Sequence, residues 1–113
     1  MGKELNVQLQ EELMADLIEE LSSEDTFNES LLKVKVKNAI REIMSARAYP
    51  EYYTDEQIKQ DLYRYYSNIR KLALYDYNTA GAEFEISHNE NSISRSWIER
   101  NKIFNGVLPL AKL

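Results

Sequence analysis

The sequence has no cysteine, one histidine, one tryptophan, two prolines and three glycines among its 113 residues. Without thiols there is no disulfide scaffold, no thiolate zinc site and no cysteine nucleophile. A lone His88 rules out a two-histidine metal motif. Three scattered glycines cannot build a loop that cradles phosphate. No apolar run exceeds a few residues, so no membrane-spanning segment is expected. The start, MGKELNVQLQEEL, lacks the apolar centre of a secretion signal. The chain is therefore expected to be intracellular, with neither cofactor nor metal.

What remains is typical of a single small folded domain over residues 1–113: 43% hydrophobic and 29% charged residues. The net charge of −5 conceals a division along the chain. Residues 1–30 carry one lysine against nine acids, a balance of −8. Residues 31–75 carry nine bases against five acids, a balance of +4. Residues 76–113 are close to neutral, at −1. Unlike ends of one chain suit head-to-tail contact between copies, because opposite potentials steer and register partners. Solvated helix faces would give the same pattern.

Hydrophobic periodicity predicts three helices. Over 4–22, Leu5, Leu9, Leu13, Leu17 and Leu21 recur every four residues, with Met14 and Ile18 beside them. Over 27–47, Leu32, Val36, Ala39, Ile40, Ile43 and Met44 form the buried stripe, and Thr26 and Glu29 have the spacing of a capping box. Lys33, Lys35, Lys37 and Arg41 lie off that stripe. Pro50 interrupts, because it disfavours helical geometry at Tyr49. Thr54 and Gln57 repeat the capping-box spacing, and a third helix is expected over 55–78, with Ile58, Leu62, Tyr65, Ile69, Leu72 and Ala73 inward. Gly81 suits the left-handed turn that ends a helix. Beyond it the period shortens to two. Phe84 and Ile86, then Ile93, Arg95 and Trp97, alternate with polar residues around HNEN, which predicts a β-hairpin over 83–97. Gly106 and Pro109 oppose helix, so 103–113 is expected to be an extended tail. The fold class is thus mainly α: a three-helix bundle with a hairpin near the C-terminus and an extended tail.

No catalytic constellation is visible. A general base needs a positioned partner and a shielded pocket, and His88 falls in the expected hairpin loop. The serines at 92, 94 and 96 have no placed base to activate them. Nucleic-acid binding has more support. All eight tyrosines lie between residues 49 and 77, interleaved with Arg47, Lys59, Arg64, Arg70 and Lys71. The acidic total argues against it. Tyrosine clustering equally marks surfaces where proteins meet. On a helical wheel Tyr63, Arg70 and Tyr77 share one flank and Tyr75 lies opposite, while Tyr65 and Tyr66 fall in or near the core stripe. The apolar tail residues Ile103, Phe104, Val107, Leu108 and Leu110 either fold back on the core or add to another subunit.

The order of parts resembles a known family. A Tyr-rich helix ending near YDYNTAG, then EFEISHNENSISRSW, then IFNGVLPLAKL, is similar to the head–tail connector proteins of long-tailed bacteriophages, also called head-completion or adaptor proteins. The resemblance covers about residues 30–110, and SHNENSISRSW is its most specific piece. It implies a non-enzymatic virion protein made in the host cytoplasm and placed at the head–tail junction. Such proteins form a ring, commonly twelvefold, beneath the portal protein. The ring extends the DNA channel, lets DNA pass without sequence-specific binding, and presents a surface to the next head-completion or tail protein. The resemblance also implies subunit or portal contacts from the hairpin (His88, Ile93, Arg95, Trp97) and from the tail. Together with Tyr63, Arg70, Tyr75 and Tyr77, these are the candidate interface residues. The alternative expectation is a small helical DNA-binding regulatory protein using the second helix and the tyrosines.

Overall fold

The structure, a computed structural model, describes residues 7–86 and 99–110. Four helices carry the fold: α1 (Val7–Leu21), α2 (Glu29–Arg47), α3 (Asp55–Arg64) and α4 (Tyr66–Ile86). Residues 99–102 are also helical and lead into a run of turns. No strand occurs among the described residues, and no described helix is long and apolar enough to cross a membrane.

The core follows the leucine and isoleucine stripes. Leu9, Leu13, Leu17 and Leu21 of α1 are buried against Leu32, Val36, Ile40 and Ile43 of α2 and Ile69 and Leu72 of α4. Each such side chain contributes about 1.5–3 kcal/mol when fully removed from water. This regular series is therefore what anchors α1. Polar ties then fasten its edge. Lys59 Nζ donates to Gln8 Oε1 (2.9 Å), Tyr66 donates to Asp16, and Arg70 pairs with Glu20. Exposed pairs of this kind add at most about 1 kcal/mol each.

Helix ends depart from expectation in an instructive way. The N-cap of α2 is Asn28, not Thr26; its side chain accepts the Leu31 N–H (3.0 Å). A second bond fixes the choice, because the Asn28 N–H donates to the Tyr77 hydroxyl (2.9 Å). α2 stops at Ala48, which takes a left-handed conformation (φ 51°) and donates its N–H to Met44 and Ser45. At α3 the expected capping box forms in full. Thr54 Oγ1 accepts the Gln57 N–H (3.1 Å), and Gln57 Oε1 accepts the Thr54 N–H (2.8 Å).

The expected third helix is two helices. The chain turns at Tyr65 (φ −104°, ψ 20°) and its N–H bonds back to Leu62 and Tyr63. No glycine or proline marks the break. It falls in a tyrosine-rich run, where helix propensity is modest. The expected β-hairpin over 83–97 is overturned: residues 83–86 continue α4. An interior glycine costs a helix only about 0.5–1 kcal/mol relative to alanine, and Ala80, Ala82, Glu83 and Glu85 around Gly81 favour helix. Four alternating residues are too few to outweigh that preference. The rest of the expected hairpin, with His88, Ile93, Arg95 and Trp97, lies outside the described residues.

Of the expected extended tail over 103–113, residues 103–106 form turns, 107–109 have no regular structure, and 111–113 lie outside the described residues. N–H groups of Ile103, Phe104 and Asn105 donate to the carbonyls three residues before them (3.1 Å each), and Val107 donates to Phe104 (2.9 Å). Gly106 supplies the positive φ, 86°, that this path requires. Val107 is buried in the core.

Candidate interaction surface

The densest polar arrangement joins the end of α2, the connector 48–54, α3 and the tail. Arg47 lies on the α2 stripe four residues after Ile43, so its stem points inward although its head is charged. Asp61 stands beside core residue Leu62 on α3. The two close a buried pair: Nε to Oδ2 at 2.8 Å and Nη2 to Oδ1 at 2.9 Å. Both side chains are 9% exposed. The third nitrogen, Nη1, reaches the Leu108 carbonyl at 2.6 Å. The guanidinium lies over the Tyr65 ring, 4.8 Å from its centroid. The Asp61 hydrogen bond, ahead of a counteracting burial cost, raises the Arg47 pKa above its already high ordinary value. Arg47 is a permanent cation here.

Tyr49 continues the arrangement outward. Its hydroxyl donates to Asp61 Oδ2 (2.8 Å). Burial first, and this bond second, push its phenol well above the ordinary range. The Tyr53 ring stacks on Tyr49 (5.8 Å, 27°), and Tyr52 leans on Tyr53 (5.7 Å, 59°). Tyr52 itself is 79% exposed. A ladder of three rings thus runs from a buried ion pair to solvent. Glu51 and Glu56 are exposed near its outer end. A small recess of about 140 Å³ beside it is lined by Tyr53, Gln57, Gln60, Asp61 and Arg64.

The candidate interface residues divide into groups. Tyr77 is buried, with its ring tilted against Phe27 (6.3 Å, 46°), whereas Tyr63 and Arg70 of the same expected flank are half-buried. Tyr63 packs on the core and stacks on Tyr66 (6.3 Å, 14°). Its hydroxyl oxygen is closed off from solvent, with the Glu12 carboxylate as the group it faces. Enclosure, then the nearby Glu12 carboxylate, push its phenol up to about 12. Arg70 is engaged by Glu20, and Tyr75 is half-buried. Ile103 and Phe104 pack against the core. The Ile103 carbonyl accepts from Asn68 Nδ2 (2.6 Å), and Arg100 lies 5.9 Å from the Phe104 ring centroid. Arg100 also bridges Asp76 (2.8 and 2.9 Å) and Glu42, which ties the segment to α4 and α2. Leu110 is half-buried and Leu108 is 67% exposed. Tail residues Ile103, Phe104 and Val107 therefore meet the chain's own core, while Leu108 faces out.

Two further surfaces remain. α1 presents Glu11, Glu12, Glu19 and Glu20 to solvent, and α2 presents Lys33, Lys37 and Arg41. Between α1 and α2 runs an open groove of about 520 Å³ that includes Val7, Met14, Ile18 and Lys33. No cluster of carboxylates or histidines among the described residues could hold a metal ion. Sequence reasoning missed the Arg47–Asp61 pair, although the signal was present in the register of Arg47 on an otherwise apolar stripe. It also missed the ladder, because ring stacking across a proline turn has no periodicity. No family model, no curated protein and no solved structure matches the chain.

Proposed function

We propose that the chain is a structural assembly protein, a ring adaptor of the head–tail connector type that stands between a capsid portal and a tail and extends the DNA channel. One observation carries this reading: the charge division of the sequence is displayed on outward faces. Exposed Glu11, Glu12, Glu19 and Glu20 on α1 and exposed Lys33, Lys37 and Arg41 on α2 put opposite signs on two neighbouring helices of one small body. A ring requires such a heterologous contact, in which two unlike patches of the same chain meet. The sequence resemblance supplies the placement at the portal. The polar groups at the centre of the described fold are committed to holding helices and tail together, which suits a building block.

Native mass measurement of the chain with and without a portal ring tests the reading. Stoichiometric addition of many copies to the portal is expected. A chain that stays monomeric with portal present, at every concentration, would sink it. The exposed α2 lysines favour the DNA-binding alternative only if a gel shift shows sequence-dependent binding that survives moderate salt. The ring reading predicts weak, salt-labile binding without sequence preference.

A further inference from the structure

The ladder Tyr49–Tyr53–Tyr52 ends in an exposed ring that its own chain does not cover. Such a ring is usually free to move, but this one is held. Tyr49 is pinned by Asp61, and Asp61 by Arg47, so the outer rings stand on a buried support. A preorganised surface loses little entropy on binding. Exposed Glu51 and Glu56 flank the two outer rings in sequence, while Arg64 lines the recess on the inner side of Tyr53. An aromatic face with carboxylates at its edge selects cations, by attraction to the ring face and by ion pairing.

The same chain displays a matching surface. Lys33, Lys37 and Arg41 recur every four residues along α2, one helical turn apart. Among them sits Val34, which is 51% exposed. Cations flanking an apolar side chain complement carboxylates flanking an aromatic one. Both surfaces are open to solvent on one chain, so they meet only between copies.

We infer that the Tyr52–Tyr53 ledge with Glu51 and Glu56 is the docking surface for the α2 basic stripe of a second copy. Val34 meets the exposed ring, and the α2 cations meet the ring faces and the two carboxylates. The inference rests on the assembly reading above and names its contact. The patches are unlike, so the contact repeats from copy to copy. A handful of side chains on each side falls short of the roughly 1,600 Å² of a stable standard interface. A single contact is therefore weak, and closure or a shared partner reinforces it.

Sedimentation velocity of the full chain tests this across concentration, at low and high salt. Association that weakens as salt rises is expected. Glu51→Lys with Glu56→Lys, and separately Lys33→Glu with Lys37→Glu, should each weaken it at least about tenfold, since like charges then face each other. Mixing the two variants should restore it, because each reversed patch then finds an opposite one on its partner. Tyr52→Ala should weaken association with the melting temperature unchanged. A wild-type chain that never self-associates, an association indifferent to both reversals, or a mixture that fails to recover would each overturn the inference. Indifference to the reversals would leave the assembly reading standing on another surface, whereas failure to load onto a portal would remove that reading itself.

Discussion

Arg47 and Asp61 form a two-point ion pair, 2.8 and 2.9 Å long, that is almost closed to water and joins the last turn of α2 to α3. Around it Tyr49 bonds Asp61, Tyr65 lies beneath the guanidinium, and the Leu108 carbonyl takes a third donor of Arg47. Removing one partner leaves the other charge buried alone. Asp61→Ala is expected to cost about 3–5 kcal/mol. Replacing both, as Arg47→Met with Asp61→Leu, should cost much less, because no uncompensated charge remains. Urea denaturation midpoints of the single and double variants check this. Equal losses in both would show that packing, not charge, dominates the site.

The bond from the Asn28 N–H to the Tyr77 hydroxyl couples a helix cap to a core ring. Tyr77→Phe strips a partly buried amide of its acceptor and should cost about 1–2 kcal/mol. Asn28→Ala loses the cap on Leu31, worth about 1 kcal/mol. The two changes share a residue, so their sum should differ from the double variant. A thermal-unfolding cycle reads that difference, and strict additivity would mean that cap and bond act independently.

Ala48 holds a positive φ of 51° where α2 ends. A side chain with Cβ in that region costs roughly 1–2 kcal/mol, which glycine avoids. Ala48→Gly should therefore raise the melting temperature despite the added freedom of the unfolded chain. Ala48→Val should lower it. A Gly variant that melts lower would show that the turn is not strained.

Alkaline pH tests the enclosed tyrosines. Burial and nearby carboxylates raise the phenols of Tyr49, Tyr63 and Tyr66, that of Tyr63 up to about 12. In the unfolded chain these groups titrate near 10. Above that value the unfolded state loses protons that the folded state keeps, so stability falls. The contribution of Tyr63 is intact below about pH 10 and is lost as pH rises through about 12. The phenolate absorbance of these three rings should therefore appear late and together with unfolding. Tyr63→Phe removes a hydroxyl that only loosely engages the Glu12 carboxylate, so stability at neutral pH should change by less than about 1 kcal/mol. Its alkaline decline should be shallower. A clear loss of stability at neutral pH would mean that the Glu12 contact is a full buried hydrogen bond.

The helices were legible where one physical signal acted alone. The leucine stripe of α1 and the Thr54–Gln57 capping box are local patterns, and both appear in the fold. The rest depended on partners distant in sequence. Thr26 had the better local spacing, but Asn28 caps α2, and its N–H meets a hydroxyl 49 residues away. Tyr77 looked like surface because the wheel assumed one straight helix from 55 to 78, and the turn at Tyr65 changes which flank faces inward. The strand expected at 83–86 rested on four alternating residues beside a glycine, too little to stop a helix already under way. Of the candidate surface, the division of charge was readable from composition. The ring ladder was not, since it needs Asp61 and Tyr49 brought together across a turn.

Arg47 and Leu108 are 61 residues apart in the chain. A ribosome adding roughly 5–20 residues per second needs several seconds to travel between them. Throughout that interval the guanidinium lacks its bond to the Leu108 carbonyl. A polypeptide halted short of Leu108 keeps that deficit permanently, so fragments differ in thermodynamic quality from the finished product. The turn that carries Leu108 thus acts as a late clasp on a charge already buried between two helices, and cutting the chain before it should make α2 and α3 part more easily.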